Sequence, residues 1–192
     1  FSRMVEIINS YSGTIIEFLG DGILAVFGSP IITNNHAELA VTAALTMQNR
    51  MRQINEYCEL NGYSHLSMGI GIHSGSAFIG NIGSEKVMRY NVIGRVVNEC
   101  SRIESYSVGE QVLVSEDTLK RIQCGYNKGE KYEVKAKGVN TPITAYEIMG
   151  ISGQYNINLT SNRDYNICVP KKDIHMELYA IRDKKISDDG VK

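Results

Sequence analysis

Apolar and polar residues change their spacing along the chain, from the period of a helix to that of a strand and back. Residues 1–9 place apolar side chains at helical spacing, and Gly13 follows as the residue expected to close this helix. Two apolar runs then meet at Gly-Asp-Gly, residues 20–22, which predicts two strands joined by a tight turn. Residues 34–62 return to helical spacing between an asparagine cap and a glycine, and they predict a long helix.

The next part of the chain consists of shorter elements. Residues 65–84 are too rich in glycine for a helix and predict two strands joined around His73 to Gly75. Strands and helices then alternate to about residue 150, with one short helix led by Ser115. Helices interleaved with strands on this scale predict a mixed α/β (α+β) fold, a two-layer sandwich around one sheet.

The character of the sequence changes after residue 150. Residues 151–166 are polar and rich in asparagine, and residues 173–192 look like an isolated strand followed by a charged end. We therefore predict one domain over residues 1–150 and a polar extension over residues 151–192, which is either a linker or the start of a further domain. Since the chain opens directly in a helical pattern, we expect it to begin inside the first domain.

Composition limits the kind of partner. A chain of 192 residues with 43% hydrophobic content can bury one sizeable core. Its 20 lysine and arginine residues nearly balance its 21 aspartate and glutamate residues, so no basic field points to nucleic acid. The four cysteines show neither a CxxC pair nor zinc-ligand spacing, which favours reduced cysteines in the cytoplasm. No apolar run approaches the roughly 20 residues of a membrane helix, so we expect no membrane contact by this segment. A membrane tether elsewhere in the full-length protein stays open.

Four motifs follow one another in an order and spacing that resemble a known family. They are EFLGDGILAVFGSP from residue 17, MGIGIHSGSAFIGNIGSEKVMRYNVIGRVVNECSRIES from residue 68, VLVSEDTL from residue 112 and KGVNTPITAYEI from residue 137. As a set they resemble the catalytic domain of class III adenylyl and guanylyl cyclases of the bacterial type, over residues 1 to about 150. The resemblance implies a ferredoxin-like βαββαβ core, a homodimer with active sites at its interface, and two Mg²⁺ or Mn²⁺ ions in each site.

The resemblance also implies a reaction and a role for Asp21. Cyclases of this family are phosphorus–oxygen lyases of intracellular signalling, which convert a purine nucleoside triphosphate to its 3′,5′-cyclic monophosphate and pyrophosphate. Asp21, in the Gly-Asp-Gly turn, matches one of two aspartates that bind the metal ions. Hard cations prefer carboxylate oxygens, and flanking glycines let phosphates approach closely. Taken by itself, Asp21 is more simply explained as a turn residue.

The family's second metal-binding aspartate lies on a first strand, before the helix with which this chain opens. Neither Glu6, on a predicted helix, nor Asp117, at the start of a distant one, is placed to substitute for it. We therefore expect this chain alone to be inactive and the activity to belong to a longer protein.

Asn98 and Arg102 are four residues apart, which places them on one face of a predicted helix. A solvated polar face, with Arg102 paired to a neighbouring glutamate, is the alternative interpretation. By resemblance, Asn98 orients the ribose and Arg102 stabilises the charge that develops on the α-phosphate. Lys137 matches the lysine that contacts the terminal phosphates, with Lys135 as a nearby competitor and a strand-edge role as the alternative.

Glu17 and Asn91 stand at the positions that select the base in the family. A carboxylate accepts from both N1–H and the 2-amino group of guanine and repels N1 of adenine, so Glu17 favours GTP over ATP. The amide of Asn91 can serve either base. His73 invites a general-base role, but a histidine bonded to the backbone is the simpler interpretation. Arg95 stands where relatives often have a small or acidic residue.

The sequence thus predicts a nucleotidyl cyclase domain with a slight preference for GTP over ATP. The alternative is a non-catalytic cyclase-like module that binds nucleotide or dimerises to regulate an attached domain. An unrelated ferredoxin-like binding domain would require the ordered motifs to be a coincidence.

Overall fold

The computed structural model describes residues 1–135 and 142–159, together with the backbone of residues 173–181. Its elements confirm the mixed α/β fold expected from the alternating pattern. The helices are α1 (Ser2–Ser10), α2 (His36–Leu60), α3 (Arg95–Glu104) and α4 (Glu116–Leu119). The strands are β1 (Gly13–Leu19), β2 (Gly22–Phe27), β3 (Ser67–Gly75), β4 (Phe78–Ser84), β5 (Val87–Ile93), β6 (Val112–Ser115), β7 (Tyr126–Val134), β8 (Ile143–Ile151), β9 (Ile157–Asn158) and β10 (Asp173–Ile181).

The main sheet has the strand order β1-β2-β10-β3-β6-β8-β7, and β9 also pairs with β8. β1 and β2 form an antiparallel hairpin whose register runs from Gly13 opposite Phe27 to Leu19 opposite Gly22. β3 and β6 are parallel, and β8 is antiparallel to β6 and β7. β4 and β5 form a separate antiparallel pair outside this sheet.

Strand β10 lies between β2 and β3 and runs parallel to both. Its pairing with β3 runs from Asp173 opposite Ser67 to Ile181 opposite Gly75. The strand predicted here is therefore present, but the expectation that it is isolated is wrong. It belongs to the main sheet because its backbone groups pair with a neighbour on each side.

Alternating side chains of the buried strands supply a core on both faces of the main sheet. On β2, Ile23 and Phe27 belong to the cluster beneath α1 and α2, whereas Leu24 and Val26 pack with α3. This alternation is the period-two pattern of a strand buried on both faces. Helices α1 and α2 thus cover one face and α3 covers the other, so that one side of α3 is left to solvent.

The first helix ends before Gly13, so the prediction that Gly13 closes it is wrong. Tyr11 follows the last helical residue, and Ser12 takes the left-handed backbone with a φ of 60°. Gly13 instead begins β1, where it is buried. A glycine is needed there for space, because a Cβ on Gly13 would lie 2.7 Å from atoms of Ile8 and Phe27.

Two further expectations concern the chain as a whole. No helix in the part of the chain that the structure describes is long and apolar enough to cross a bilayer. Cys58, Cys100 and Cys124 form no disulfide bond among the described residues, and Cys168 lies outside them.

Candidate active site

The Gly-Asp-Gly turn at the tip of the β1–β2 hairpin exposes Asp21 to solvent. Leu19 and Gly22 form the last pair of the ladder, so Gly20 and Asp21 alone make the turn. Gly20 has a left-handed φ of 65° at the first of these two positions, where tight hairpins favour glycine. Within the described residues the Asp21 carboxylate has no hydrogen-bond or ion-pair partner, which leaves its oxygens available to a ligand.

Glu17 lies on the same hairpin, four residues before Asp21, and is also exposed. The register of β1 against β2 shifts between Ile15 and Glu17, and Glu17 then pairs with Leu24. Such an irregularity changes the direction in which side chains leave a strand. The hairpin therefore carries two exposed carboxylates, one on its arm and one at its tip.

Helix α3 exposes Asn98 and Arg102, while its opposite side is buried against the sheet. Their spacing puts the two side chains one helical turn apart, as predicted. Neither side chain has a partner among the residues that the structure describes. Glu99 does not pair with Arg102, as the alternative interpretation allowed. Its Oε1 instead accepts a hydrogen bond from Arg95 Nε at 2.7 Å.

Helix α3 lies mainly on β3 and β10, and it also packs with Leu24 and Val26 of the hairpin strand β2. α3 packs on β3, and β10 separates β3 from β2. Since neighbouring strands are about 4.8 Å apart, β2 and β3 lie about 10 Å from each other. The residues predicted for the site lie on two elements of the chain, Glu17 with Asp21 on the hairpin and Asn98 with Arg102 on α3.

The remaining predicted residues are Asn91 and a lysine. Asn91 lies on β5, and its Oδ1 accepts a hydrogen bond from the backbone N–H of Val92 at 2.7 Å. Lys137 lies outside the described residues. Its competitor Lys135 is exposed just after β7, and its backbone N–H donates to the Tyr106 hydroxyl at 3.3 Å. The assignment of the lysine that contacts phosphates stays a prediction.

Sequence reasoning missed a buried polar network that joins β3 to α3 and α4. His73 Nδ1 lies 2.8 Å from Ser115 Oγ, and His73 Nε2 lies 3.2 Å from Glu99 Oε2. Both ring nitrogens therefore form hydrogen bonds with side chains, and the expectation that His73 bonds to the backbone is wrong. A signal was present in the sequence, because every second residue from Gly69 to Gly75 is a glycine except His73.

Burial dominates the electrostatics of His73 and lowers its pKa below the ordinary value of 6.5. The hydrogen bond and the charge of Glu99 act in the opposite direction with smaller effect. His73 is therefore neutral near pH 7. Because a carboxylate can only accept, Nε2 carries the proton that is donated to Glu99, and Nδ1 accepts from the Ser115 hydroxyl.

Metal binding can be judged from the donors that are present. Within residues 1–135 and 142–159, no group of three or more His, Cys, Asp and Glu side chains converges. Glu6 pairs with Arg3 at 3.1 Å and Asp117 lies 3.6 Å from Lys120, so each has a cationic neighbour near its own helix. Asp21 fits the role of one carboxylate ligand, since Mg²⁺ is often held by one or two carboxylates together with substrate phosphates and water.

Comparison with known proteins identifies the family. The model of the adenylate and guanylate cyclase catalytic domain matches residues 1–150, and the chain belongs to this family. Adenylate cyclase 1 of Rhizobium meliloti (strain 1021) is 30% identical over 153 residues, which are 79% of this chain and 23% of that protein. The crystal structure of the guanylyl cyclase Cya2 is 38% identical with a TM-score of 0.78, over 83% of this chain and 81% of that one. The adenylyl cyclase CyaB from P. aeruginosa is 28% identical with a TM-score of 0.68, over 85% of this chain and 80% of that one.

These matches confirm the resemblance to class III cyclases and the fold class that it implies. These three proteins are named as adenylyl or guanylyl cyclases, which are lyases. Both names occur among them, so membership of the family does not select the base. The chain spans about a quarter of the length of the curated relatives it matches.

Proposed function

We propose that this domain is the catalytic part of a purine nucleotidyl cyclase, with GTP preferred over ATP. The observation that carries the proposal is the solvent side of α3. Asn98 and Arg102 are exposed there one turn apart and have no partner among the described residues, although Glu99 between them is paired. A guanidinium without an ion-pair partner, next to an amide, suits a phosphate ester and its ribose.

The proposed reaction is an in-line displacement that needs no protein nucleophile. A bond forms between the ribose 3′-oxygen and the α-phosphorus. The bond from the α-phosphorus to the oxygen that bridges to the β-phosphate breaks, pyrophosphate leaves, and the proton of the 3′-hydroxyl passes to solvent. Arg102 donates to the α-phosphate oxygens as negative charge builds up on them, and Asn98 holds the ribose. Loss of one such electrostatic contact commonly costs ~10²-fold or more in turnover.

Asp21 is the proposed carboxylate ligand for Mg²⁺ or Mn²⁺, with two ions per site. When bound, such ions neutralise phosphate oxygens and lower the pKa of the attacking hydroxyl. Asp21 is suited to this role because it is exposed at a two-residue turn beside Gly20, where no bulky side chain blocks the phosphates. Lys137 is the proposed contact for the terminal phosphates.

The preference for GTP rests on Glu17. Its carboxylate is exposed on the arm of the hairpin whose tip carries Asp21, so base and phosphates of one nucleotide can meet the same hairpin. The Glu17 carboxylate accepts hydrogen bonds from guanine. With adenine, it would instead face the acceptor N1, and two acceptors cannot pair. Unpaired polar groups of this kind discriminate strongly between substrates. Asn91 lines the base pocket in this proposal without selecting between the two bases.

We further propose that the two groups of site residues meet across a homodimer interface, Glu17 and Asp21 from one subunit and Asn98 and Arg102 from the other. The β4–β5 pair supports this because it exposes several large apolar side chains, as interaction surfaces do. These are Phe78, Val87, Met88, Tyr90 and Ile93. A second copy of the chain is the fitting partner, since each of the two sites would take Glu17 and Asp21 from one copy and Asn98 and Arg102 from the other.

The proposed limits of the cyclase domain are residues 1–150, which is also the range matched by the family model. Residues 151–192 are then an extension that adds β9 and β10 to the main sheet. The proposed location is the cytoplasm, where the nucleoside triphosphate substrates are available.

The test is a turnover assay with Mn²⁺ and either GTP or ATP on the full-length protein. An excess of cyclic GMP supports the proposal together with the role of Glu17. An excess of cyclic AMP keeps the enzyme and contradicts the assignment of the base. Absence of both products from folded, dimeric protein would favour the second candidate, a cyclase-like module that regulates an attached domain.

A further inference from the structure

We propose that Glu99 is a positioning residue of the cyclase reaction, which fixes the rotation of α3 and thereby the direction in which Arg102 projects. Glu99 does not touch the nucleotide in this proposal. It acts through the helix, because its bond to His73 ties α3 to β3. The inference rests on the role proposed above for Arg102.

Helix α3 lies on a face of β3 that consists mostly of glycine. A Cβ on Gly71 would be 2.5 Å from the backbone nitrogen of Glu104, and a Cβ on Gly75 would be 2.9 Å from Val96 Cγ2. The helix therefore packs directly on the backbone of β3. From Gly69 to Gly75, His73 is the one residue with a side chain at these alternating positions.

A face of glycines offers little resistance to rolling or sliding of a helix, because it has no side chains that interdigitate with the ridges of the helix. Apolar contacts of Val96, Cys100 and Ile103 hold α3 on the sheet, and His73 adds a directed side-chain bond from this face of β3. His73 Nε2 reaches Glu99 Oε2 at 3.2 Å, close to the middle of α3. Cys100 Sγ adds a weak bond to the backbone oxygen of Gly71, at 3.4 Å.

Both oxygens of the Glu99 carboxylate have partners, His73 and Arg95, and His73 is the one of these two that lies outside α3. Oε2 accepts from His73, and Oε1 accepts from Arg95 Nε at 2.7 Å. The side chain of Glu99 is only 14% exposed, so this carboxylate is largely withdrawn from water and exchanges its partners for solvent less readily than a surface group.

The network is anchored at its far end as well. His73 Nδ1 accepts from the hydroxyl of Ser115, at 2.8 Å. Ser115 Oγ in turn accepts from the backbone N–H of Thr118 at 3.2 Å and lies 2.9 Å from the Thr118 hydroxyl, as the N-cap of α4. His73 is therefore fixed in position and tautomer before it meets Glu99.

Small errors in the alignment of α3 matter for Arg102. A roll of about 10° moves a side-chain atom that lies roughly 6 Å from the helix axis by about 1 Å. Misplacement of a catalytic group by about 1 Å can cost about 10²-fold in rate. Arg102 is three residues after Glu99, so a tie at Glu99 controls the turn that carries the guanidinium.

The test compares Glu99→Gln with Glu116→Gln in the full-length protein, with Mn²⁺ and the preferred nucleotide. Glutamine keeps the shape of the side chain, but its one carbonyl oxygen can accept from His73 or from Arg95, not from both with equal strength. Glu116 is the matched control, because it lines the same cleft of about 220 Å³ as His73 and Glu99, on α4, and pairs with Lys120 instead.

We expect Glu99→Gln to lower kcat by about tenfold or more and to leave KM within about twofold, because Arg102 acts on the charge of the transition state. Glu116→Gln should leave both constants unchanged. A structural role alone would lower the melting temperature without this split between kcat and KM. If Glu99→Gln reduces the amount of folded protein, His73→Phe tests the same tie from the β3 side and should lower kcat in the same way.

A double-mutant cycle with Arg102→Lys separates this proposal from the proposed function. If Glu99 acts through Arg102, Glu99→Gln should lower kcat much less in the Arg102→Lys background than in the wild type. A full, additive loss overturns the positioning role, as does an unchanged kcat in both Glu99→Gln and His73→Phe. An unchanged kcat in Arg102→Lys, in contrast, contradicts the proposed role of Arg102 itself.

Discussion

Gly71 of β3 faces the backbone of Glu104 so closely that a Cβ on Gly71 would lie 2.5 Å from the Glu104 nitrogen. The last turn of α3 therefore rests on the strand without an intervening side chain. This close approach sets the distance between the helix that exposes Arg102 and the sheet that supports it.

Replacement of Gly71 by alanine should destabilise the protein. The methyl group meets backbone atoms of Glu104, which cannot rotate away as the end of a side chain can. Overpacking of this kind typically costs about 1–3 kcal/mol, which a urea or thermal melt can measure. Gly125→Ala is the matched control, because its new Cβ would meet Ser152 Oγ at 3.4 Å, an ordinary contact. Equal stability of the two variants would contradict this account of how α3 packs.

The sequence predicted the elements that depend on local spacing, and it failed where distant residues decide. The hairpin around Gly20 and Asp21 and the long helix α2 follow from turn chemistry and from periodicity, and both are present. The role predicted for Gly13 was wrong. A glycine is needed there because Ile8 and Phe27 leave no space for a side chain, and not because a helix ends there.

Pairing between strands that are distant in the chain could not be predicted from the sequence either. β10 was expected to be isolated, since nothing in its own residues indicates that β2 and β3 lie on its two sides. Site residues on motifs, such as Asp21 and Arg102, could be named from the sequence. The partner of His73 could not, because the contact with Glu99 joins a strand to a helix 26 residues later.

The free energy of unfolding should depend on pH through His73. Burial lowers the pKa of His73 in the folded protein, whereas the unfolded chain binds a proton near pH 6.5. Between the folded pKa and 6.5, unfolding therefore takes up a proton. The stabilising contribution is present above pH 6.5 and is lost as the pH falls through the folded pKa. The charged groups that act on the ring are Glu99 and Asp117, which favour its protonation, and Arg121, which opposes it.

Chemical denaturation at a series of pH values from 7.5 to about 5 checks this expectation. His73→Gln should flatten the pH dependence across this range. His65→Gln is the control, because the side chain of His65 is 56% exposed and lies outside the network. If the His73 variant follows the wild-type curve, the buried ring does not govern the acid response.

Replacement of Glu17 by lysine should shift the preference from GTP towards ATP. The ammonium group can donate to N1 of adenine, which the carboxylate repels, and it no longer accepts from guanine. Discrimination by buried hydrogen-bonding groups is strong, so the ratio of kcat/KM for GTP to that for ATP should fall by at least about tenfold.

Glu56→Lys makes the same change of charge at an exposed position of α2 and should leave this ratio unchanged. A Glu17→Lys variant that loses activity equally with both nucleotides would show that Glu17 supports the site without selecting the base.

The shared site predicts complementation between Asp21→Ala and Arg102→Ala. Each variant alone should have almost no turnover, because every site in its homodimer lacks one essential group. In a heterodimer of the two variants, one site loses both groups and the other keeps both. Random pairing makes about half of the dimers mixed, each with one intact site of two, so about a quarter of the wild-type activity should return.

The two variants should be co-expressed with different affinity tags, so that the mixed dimer can be isolated and counted. Each variant co-expressed with itself under both tags is the control and should stay inactive. Recovery in the mixed dimer alone requires that Asp21 and Arg102 of different subunits serve one site. A site built inside a single subunit would predict no recovery at all, because neither variant chain then contains both Asp21 and Arg102.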